Sequence, residues 1–203
     1  MPVTELALLR QKAQDPSPSA KSTALQVQKT ISEYSGHKVT YLRQIEDPEF
    51  FYLLGGWDSI DKHDGGQWSS EENKNLYASV KENFANSWMF HLDLDPSTSK
   101  IPLDAPVIAI TRCFVEANKK DEFDAVFKAG VADLNASTAP FTSCGAWRID
   151  KEGDDEEFVL FSGWNQVQDH FDFAGSEVSK EFRKTQALMK GAEVKHVRIE
   201  KWE

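Results

Sequence analysis

The chain has 203 residues, of which 40% are hydrophobic and 28% charged, and carries a formal net charge of −10. That length admits one large domain or two small ones, and the composition is too apolar for a disordered chain, with no charge-free run near the ~20 residues a membrane span needs. The acidic balance repels a phosphate backbone and the longest basic run is Lys119-Lys120, so neither nucleic acid nor a membrane is an expected partner.

The chain opens with MPVTELALLRQK. It lacks a basic leading region and a small-residue cleavage site, so no secretory signal is visible and the expected address is the cytosol. An apolar strand is predicted at about 3 to 10. A loop, QDPSPSAKS, delays the first helix, in which Ala20, Ala24, Val27, Ile31 and Tyr34 recur at four-three-four-three spacing and which Gly36 is placed to cap. VTYLRQI follows as a strand, Asp47-Pro48 turns the chain, and FFYLLGG returns it. The run SSEENKNLYASVKENF reads as a second helix, with Ser69 and Glu72 spaced as a capping box and Leu76, Val80 and Phe84 in one stripe. WMFHLDL closes the series as a strand, giving the order βαββαβ.

That order then recurs. FYLLGGWDSIDKH at 51–63 is answered by FVLFSGWNQVQDH at 158–170, so that Trp57 matches Trp164 and His63 matches His170. Arg43 matches Arg148, and His91 in WMFHLDL matches His196 in EVKHVRI. Self-similarity over ~95 residues marks two tandem copies of one supersecondary unit. The second reads PVIAITRCFV as strand, DEFDAVFKAGVADL as helix, SCGAWRI and EFVLFSG as a hairpin around KEGDDE, then SEVSKEFRKTQALM as helix and EVKHVRI as strand. Residues 1–95 form the first repeat and 107–203 the second, with the Pro- and Ser-rich stretch 96–106 as linker.

Each βαββαβ unit makes a four-stranded antiparallel sheet with both helices on one face. The bare apolar faces of two ~100-residue layers cannot stay in water, and packing them together makes the chain its own dimer. The expected fold is therefore α+β: two tandem ferredoxin-like repeats packed sheet to sheet as an intramolecular dimeric α/β barrel. Association of such chains into a further homodimer is left open.

GWDSIDKH and GWNQVQDH, each after a strand, together with MFHLDLD, resemble the dimeric α+β barrel superfamily, and within it the antibiotic biosynthesis monooxygenase type in a tandem form like fungal members. Stress-responsive barrel proteins share the pattern. The resemblance covers nearly the whole chain. It implies a third strand ending in Trp, a short helix carrying His, and a cavity for a small molecule. Many such members place an acidic residue shortly before the Trp, where this chain has Gly55-Gly56 and Ser162-Gly163, so a carboxylate-assisted mechanism is not expected. Haem-degrading relatives carry an iron-binding His on the second helix, which neither copy has. No cofactor is expected.

His91 shares a strand face with Met89 and Asp93, opposite Trp88, Phe90, Leu92 and Leu94, and His196 shares one with Val194 and Arg198. The richer apolar set should meet the helices, which turns both histidines into the barrel interior. A neutral histidine in an apolar cavity can take a proton from a phenol and hold the resulting enolate. The candidate catalytic residues are His91, His196, His63 and His170, and the candidate substrate-binding residues Trp57, Trp88, Trp147, Trp164 and Arg198. The alternative for each histidine is a hydrogen bond to a backbone carbonyl, and for Trp57 and Trp164 filling the gap between sheet and helix.

Cys113 and Cys144 lack any zinc-like spacing and read as free thiols, and the acidic run EGDDEE lacks the calcium-loop pattern, so no metal site is expected. Two functions follow: a cofactor-independent oxygenase, or a cyclase or isomerase, acting on a small aromatic or polyketide-like molecule, or a non-catalytic stress-responsive or ligand-carrying barrel. Tyr52, Asp58 and Trp68 have no like residue in the second copy, so at most one pocket is expected to be active.

Overall fold

The computed structural model describes residues 1–12, 17–65, 71–151 and 153–202, the side chains of residues 71 and 72 excepted. Trp68 and the Ser69–Glu72 capping box lie outside them. The chain divides into two compact units, Met1–Ser99 with Ile199–Glu203, and Lys100–Arg198.

The first unit runs β1 (Val3–Gln11), α1 (Pro18–Ser35), β2 (Thr40–Gln44), β3 (Phe50–Trp57), α2 (Ile60–Asp64), α3 (Glu71–Asn83) and β4 (Phe84–Leu92). Its strands lie in the order β4-β1-β3-β2, every pair antiparallel. The start of α1 is fixed by Ser17, whose hydroxyl accepts the Ala20 N–H, and by Pro18 in the first turn. Gly36 ends it at φ 78°, a left-handed conformation that a side chain resists. Between them Ala20, Ala24, Val27 and Ile31 are buried against Val3, Ala7, Tyr41, Phe51, Leu53 and Trp57 of the sheet.

These contacts set the faces. The odd residues of β1 and β3 meet the helices, and Leu6, Leu8, Leu42, Tyr52, Leu54, Phe90 and Leu92 point the other way. In β4 the richer apolar set, Trp88, Phe90 and Leu92, therefore lies on the face turned from the helices, opposite to the sequence expectation. Both faces are buried, so apolar richness alone does not say which one the helices cover.

The second unit repeats the order with β5 (Val107–Val115), α4 (Lys120–Thr138), β6 (Ser143–Trp147), β7 (Glu156–Trp164), α5 (Val167–Gly175), α6 (Lys180–Arg183) and β8 (Met189–Ile199). Its strand order is β8-β5-β7-β6. The predicted last helix, 176–189, is a four-residue helix followed by a 3₁₀ turn, Lys184–Leu188. Two features shape it. The Arg183 guanidinium donates to the carbonyls of Ala174 and Ser176, tying the segment back to α5. A Cβ on Gly130 of α4 would lie 2.7 Å from Phe182 backbone atoms, so glycine there permits a close approach of α4 and α6.

Candidate functional site

Glu5 stands on the helix side of β1, with Gly55 of β3 and His91 of β4 as its cross-strand partners. Trp57 ends β3 on the same face. Beyond it Ser59 caps α2 by accepting the Lys62 N–H, and that single short turn brings His63 back over the strand ends.

The four side chains form a connected set. Trp57 donates its Nε1–H to Glu5 Oε2 at 2.8 Å. The His63 ring stacks on the Trp57 indole with centroids 4.4 Å apart. His63 Nδ1 lies 2.8 Å from His91 Nε2, so one of the two rings donates to the other, while His63 Nε2 is 3.8 Å from Glu5 Oε2. His63 thus stands between the two, hydrogen-bonded to His91 and near the Glu5 carboxylate without a direct hydrogen bond to it.

Burial pushes the Glu5 carboxyl up from its ordinary value of 4.5 to about 7, against the opposing effect of the Trp57 hydrogen bond. Burial, and then the nearby charge of Glu5, also raise Tyr41. Glu5, His63 and Tyr41 open on a cavity of about 560 Å³ whose apolar walls include Ala7, Leu9, Ile31, Leu53 and Met89. Lys12 and Lys81 border it, the Lys12 ammonium donating to the Lys81 carbonyl at 2.5 Å.

The second unit keeps the frame and changes the chemistry. Ala109 takes the place of Glu5, as cross-strand partner of Ser162 and His196, and Ser162 takes that of Gly55. Trp164 donates its Nε1–H to Ser162 Oγ at 2.9 Å in place of a carboxylate. His170 Nδ1 meets His196 Nε2 at 2.9 Å, and burial, then the neighbouring His196, lower the His170 pKa from 6.5 to about 4. The adjoining cavity, about 220 Å³, is lined by phenylalanines.

The four histidines proposed from sequence are therefore brought together in two pairs, His63 with His91 and His170 with His196. Both pairs lie between sheet and helices, on the face opposite to the expected one. Trp57 and Trp164 abut them. Trp88 lies on the other face, stacked on Phe90. Trp147 packs against Phe123 and Phe158 with its Nε1–H on Asp124, and Arg198 is exposed. The residue that sequence reasoning missed is Glu5. Its signal was its parity with Val3 and Ala7 in VTELALL, a lone acid among inward positions.

No family model matches the chain, and neither does any curated protein. Among solved structures, a candidate monooxygenase from Fusobacterium nucleatum aligns with TM-score 0.68 at 13% identity over 98% of this chain and 93% of its own. An anthrone oxidase-like protein aligns with TM-score 0.66 at 15% identity, over 98% and 92%. A mutant chlorite dismutase from Candidatus Nitrospira defluvii gives 0.60 at 9%, over 99% and 92%. The chain shares the fold of these proteins. No described helix is long and apolar enough to cross a membrane.

Proposed function

We propose that the first unit is the reaction centre of a cofactor-independent monooxygenase acting on a small aromatic or polyketide-like molecule. The observation that carries this reading is Glu5, a buried carboxyl held near neutral pH in a cavity and backed by the His63–His91 pair. A base poised near working pH is what proton abstraction from a phenol or an activated methylene asks for. The likeness in fold to the candidate monooxygenase and the anthrone oxidase-like protein supports the same reading.

In the step envisaged, the C–H or O–H proton of the substrate passes to the Glu5 carboxylate, and its electron pair stays on the substrate as an enolate or phenolate. That anion reduces O₂ and forms a C–O bond to it, giving a peroxide anion that a proton returned through Glu5 converts to the hydroperoxide. Loss of the remaining C–H proton with cleavage of the O–O bond leaves a carbonyl and water. The balance is CH₂ + O₂ → C=O + H₂O. Trp57 orients the carboxylate, and His63 and His91 take up or return the proton.

Oxygen uptake on a panel of anthrones and hydroquinones tests the assignment. The wild-type chain should consume oxygen, and Glu5→Gln should lower kcat by ~10²–10⁴, the usual range for a general base. His91→Ala should also fall, and His196→Ala should not. Equal rates for wild type, Glu5→Gln and His91→Ala would remove the first unit from the chemistry. Turnover with no oxygen uptake would instead assign the same base to a cyclase or isomerase.

A further inference from the structure

The two units solve one packing problem in opposite ways. In each, a buried indole N–H at a strand end needs an acceptor within the sheet. In the first unit β1 supplies it as Glu5, and β3 stays bare at Gly55, where a Cβ would lie 3.1 Å from Glu5 Oε2. In the second, β7 supplies it as Ser162, and β5 carries only Ala109. This exchange removes the acid from the second cavity without leaving the Trp164 N–H unsatisfied.

What remains there has no acid. Among the described residues no aspartate or glutamate lines the cavity, and His170 is held uncharged by burial. Among the described residues the one cation on the wall is Arg183, whose Nη1 donates to the carbonyls of Ala174 and Ser176 and to the hydroxyl of Ser179 at 3.0, 2.5 and 2.6 Å, which holds the guanidinium against the protein. Rings dominate the wall: the Phe127 ring centroid lies 4.9 Å from that of Phe158 and 5.9 Å from that of Phe182, in tilted and edge-on contacts, and 6.3 Å from that of Phe123 in a parallel one. A cation would lose its hydration here with no acid among the described lining residues, and a carboxylate would have to share Arg183 with the acceptors that hold it. An apolar cavity of ~150 Å³ stays dry and takes up benzene. At about 220 Å³ this one has room for a second fused ring.

We propose that the cavity of the second unit is a binding site for a neutral fused-ring aromatic molecule, held without acid–base chemistry. The site is independent of the reaction assigned to the first unit.

Equilibrium dialysis of the intact chain against naphthalene and naphthalene-2-carboxylate tests it. Thr111 and Ala174 both line the cavity, and a ring at either position fills it. Thr111→Phe and Ala174→Phe, each checked for wild-type circular dichroism, should bind one equivalent of naphthalene fewer than the wild type. The carboxylate should compete for that equivalent at least tenfold less well. Equal uptake by wild type and both filled variants, or equal competition by the carboxylate, would overturn the proposal. Loss of oxygen uptake in Glu5→Gln bears only on the first unit, so the two readings fail separately.

Discussion

Glu5 and Gly55 face each other across β1 and β3, and the side chain that Gly55 lacks is what leaves room for the carboxylate: a Cβ there would stand 3.1 Å from Oε2. The carboxylate fills that space and accepts the Trp57 N–H. Glycine at this position is thus part of the acid site, although it carries no functional group.

Serine in its place should detune the acid. In Gly55→Ser the flexible carboxylate has to give by a few tenths of an ångström, and the new hydroxyl offers Trp57 the acceptor that Ser162 offers Trp164. Glu5 then loses a hydrogen bond that favours its charged form. The midpoint of the pH–rate profile should rise by about one unit, measured as oxygen uptake across pH 5 to 9. An unmoved midpoint would mean that Trp57 does not tune Glu5.

The stability of the chain should depend on Glu5 with a definite sign. Its folded pKa of about 7 lies above the ordinary 4.5, so between those values the folded state binds more protons than the unfolded one. Stability therefore falls as pH rises through this window, by roughly 3 kcal/mol for a shift of this size. Glu5→Gln should abolish that fall and be the more stable protein at pH 8, read from urea midpoints at pH 4.5 and 8. His170 acts in the opposite direction: its pKa is lowered from 6.5 to about 4, so its contribution is lost as pH falls through that range.

The exchange between the two units should be reversible. Ala109→Glu with Ser162→Gly rebuilds, on β5 and β7, the arrangement of β1 and β3. In a Glu5→Gln background the double substitution should restore oxygen uptake by at least tenfold, with a pH midpoint near 7. Recovery that persists when His170 is also replaced by Ala would show that the histidine pair is not part of the proton route.

Trp202 holds an aromatic box shut. Its ring meets Tyr41 and Phe51 at 5.6 Å and Phe84 at 6.5 Å, and it is 7% exposed. Its indole N–H has no hydrogen-bond partner among the described residues. Trp202→Ala should cost ~3–5 kcal/mol, the range for emptying a buried aromatic site, and Trp202→Phe much less because no hydrogen bond is forfeited. Thermal unfolding of the two variants separates loss of ring volume from loss of the N–H.

Much of the architecture was legible because it is written twice. The matching Gly-Trp segments and the spacing of Ala20, Ala24, Val27 and Ile31 announce the tandem order and the first helix, and Gly36 closes that helix as expected. The histidine pairs were visible as recurrences. Their face was not, since both sides of the sheet are buried and alternation has no sign without knowledge of where the helices lie. Glu5 was hidden for another reason: its partner Trp57 is 52 positions away, and only strand register brings the two together. The last predicted helix is shorter than expected: after Arg183, whose side chain ties the segment to the end of α5, the chain tightens into the 3₁₀ turn Lys184–Leu188.

The five closing residues, Ile199–Glu203, belong with the first unit: the Glu200 N–H donates to the Tyr41 carbonyl, Glu200 pairs with Arg43, and Trp202 caps the box. Genetic dissection between Ser99 and Lys100 would therefore produce an amino-terminal fragment stripped of its own lid, with Tyr41, Phe51 and Phe84 laid open. Any scheme that shuffles these halves between proteins, or expresses one for study, has to carry the terminal pentapeptide along with the half it closes.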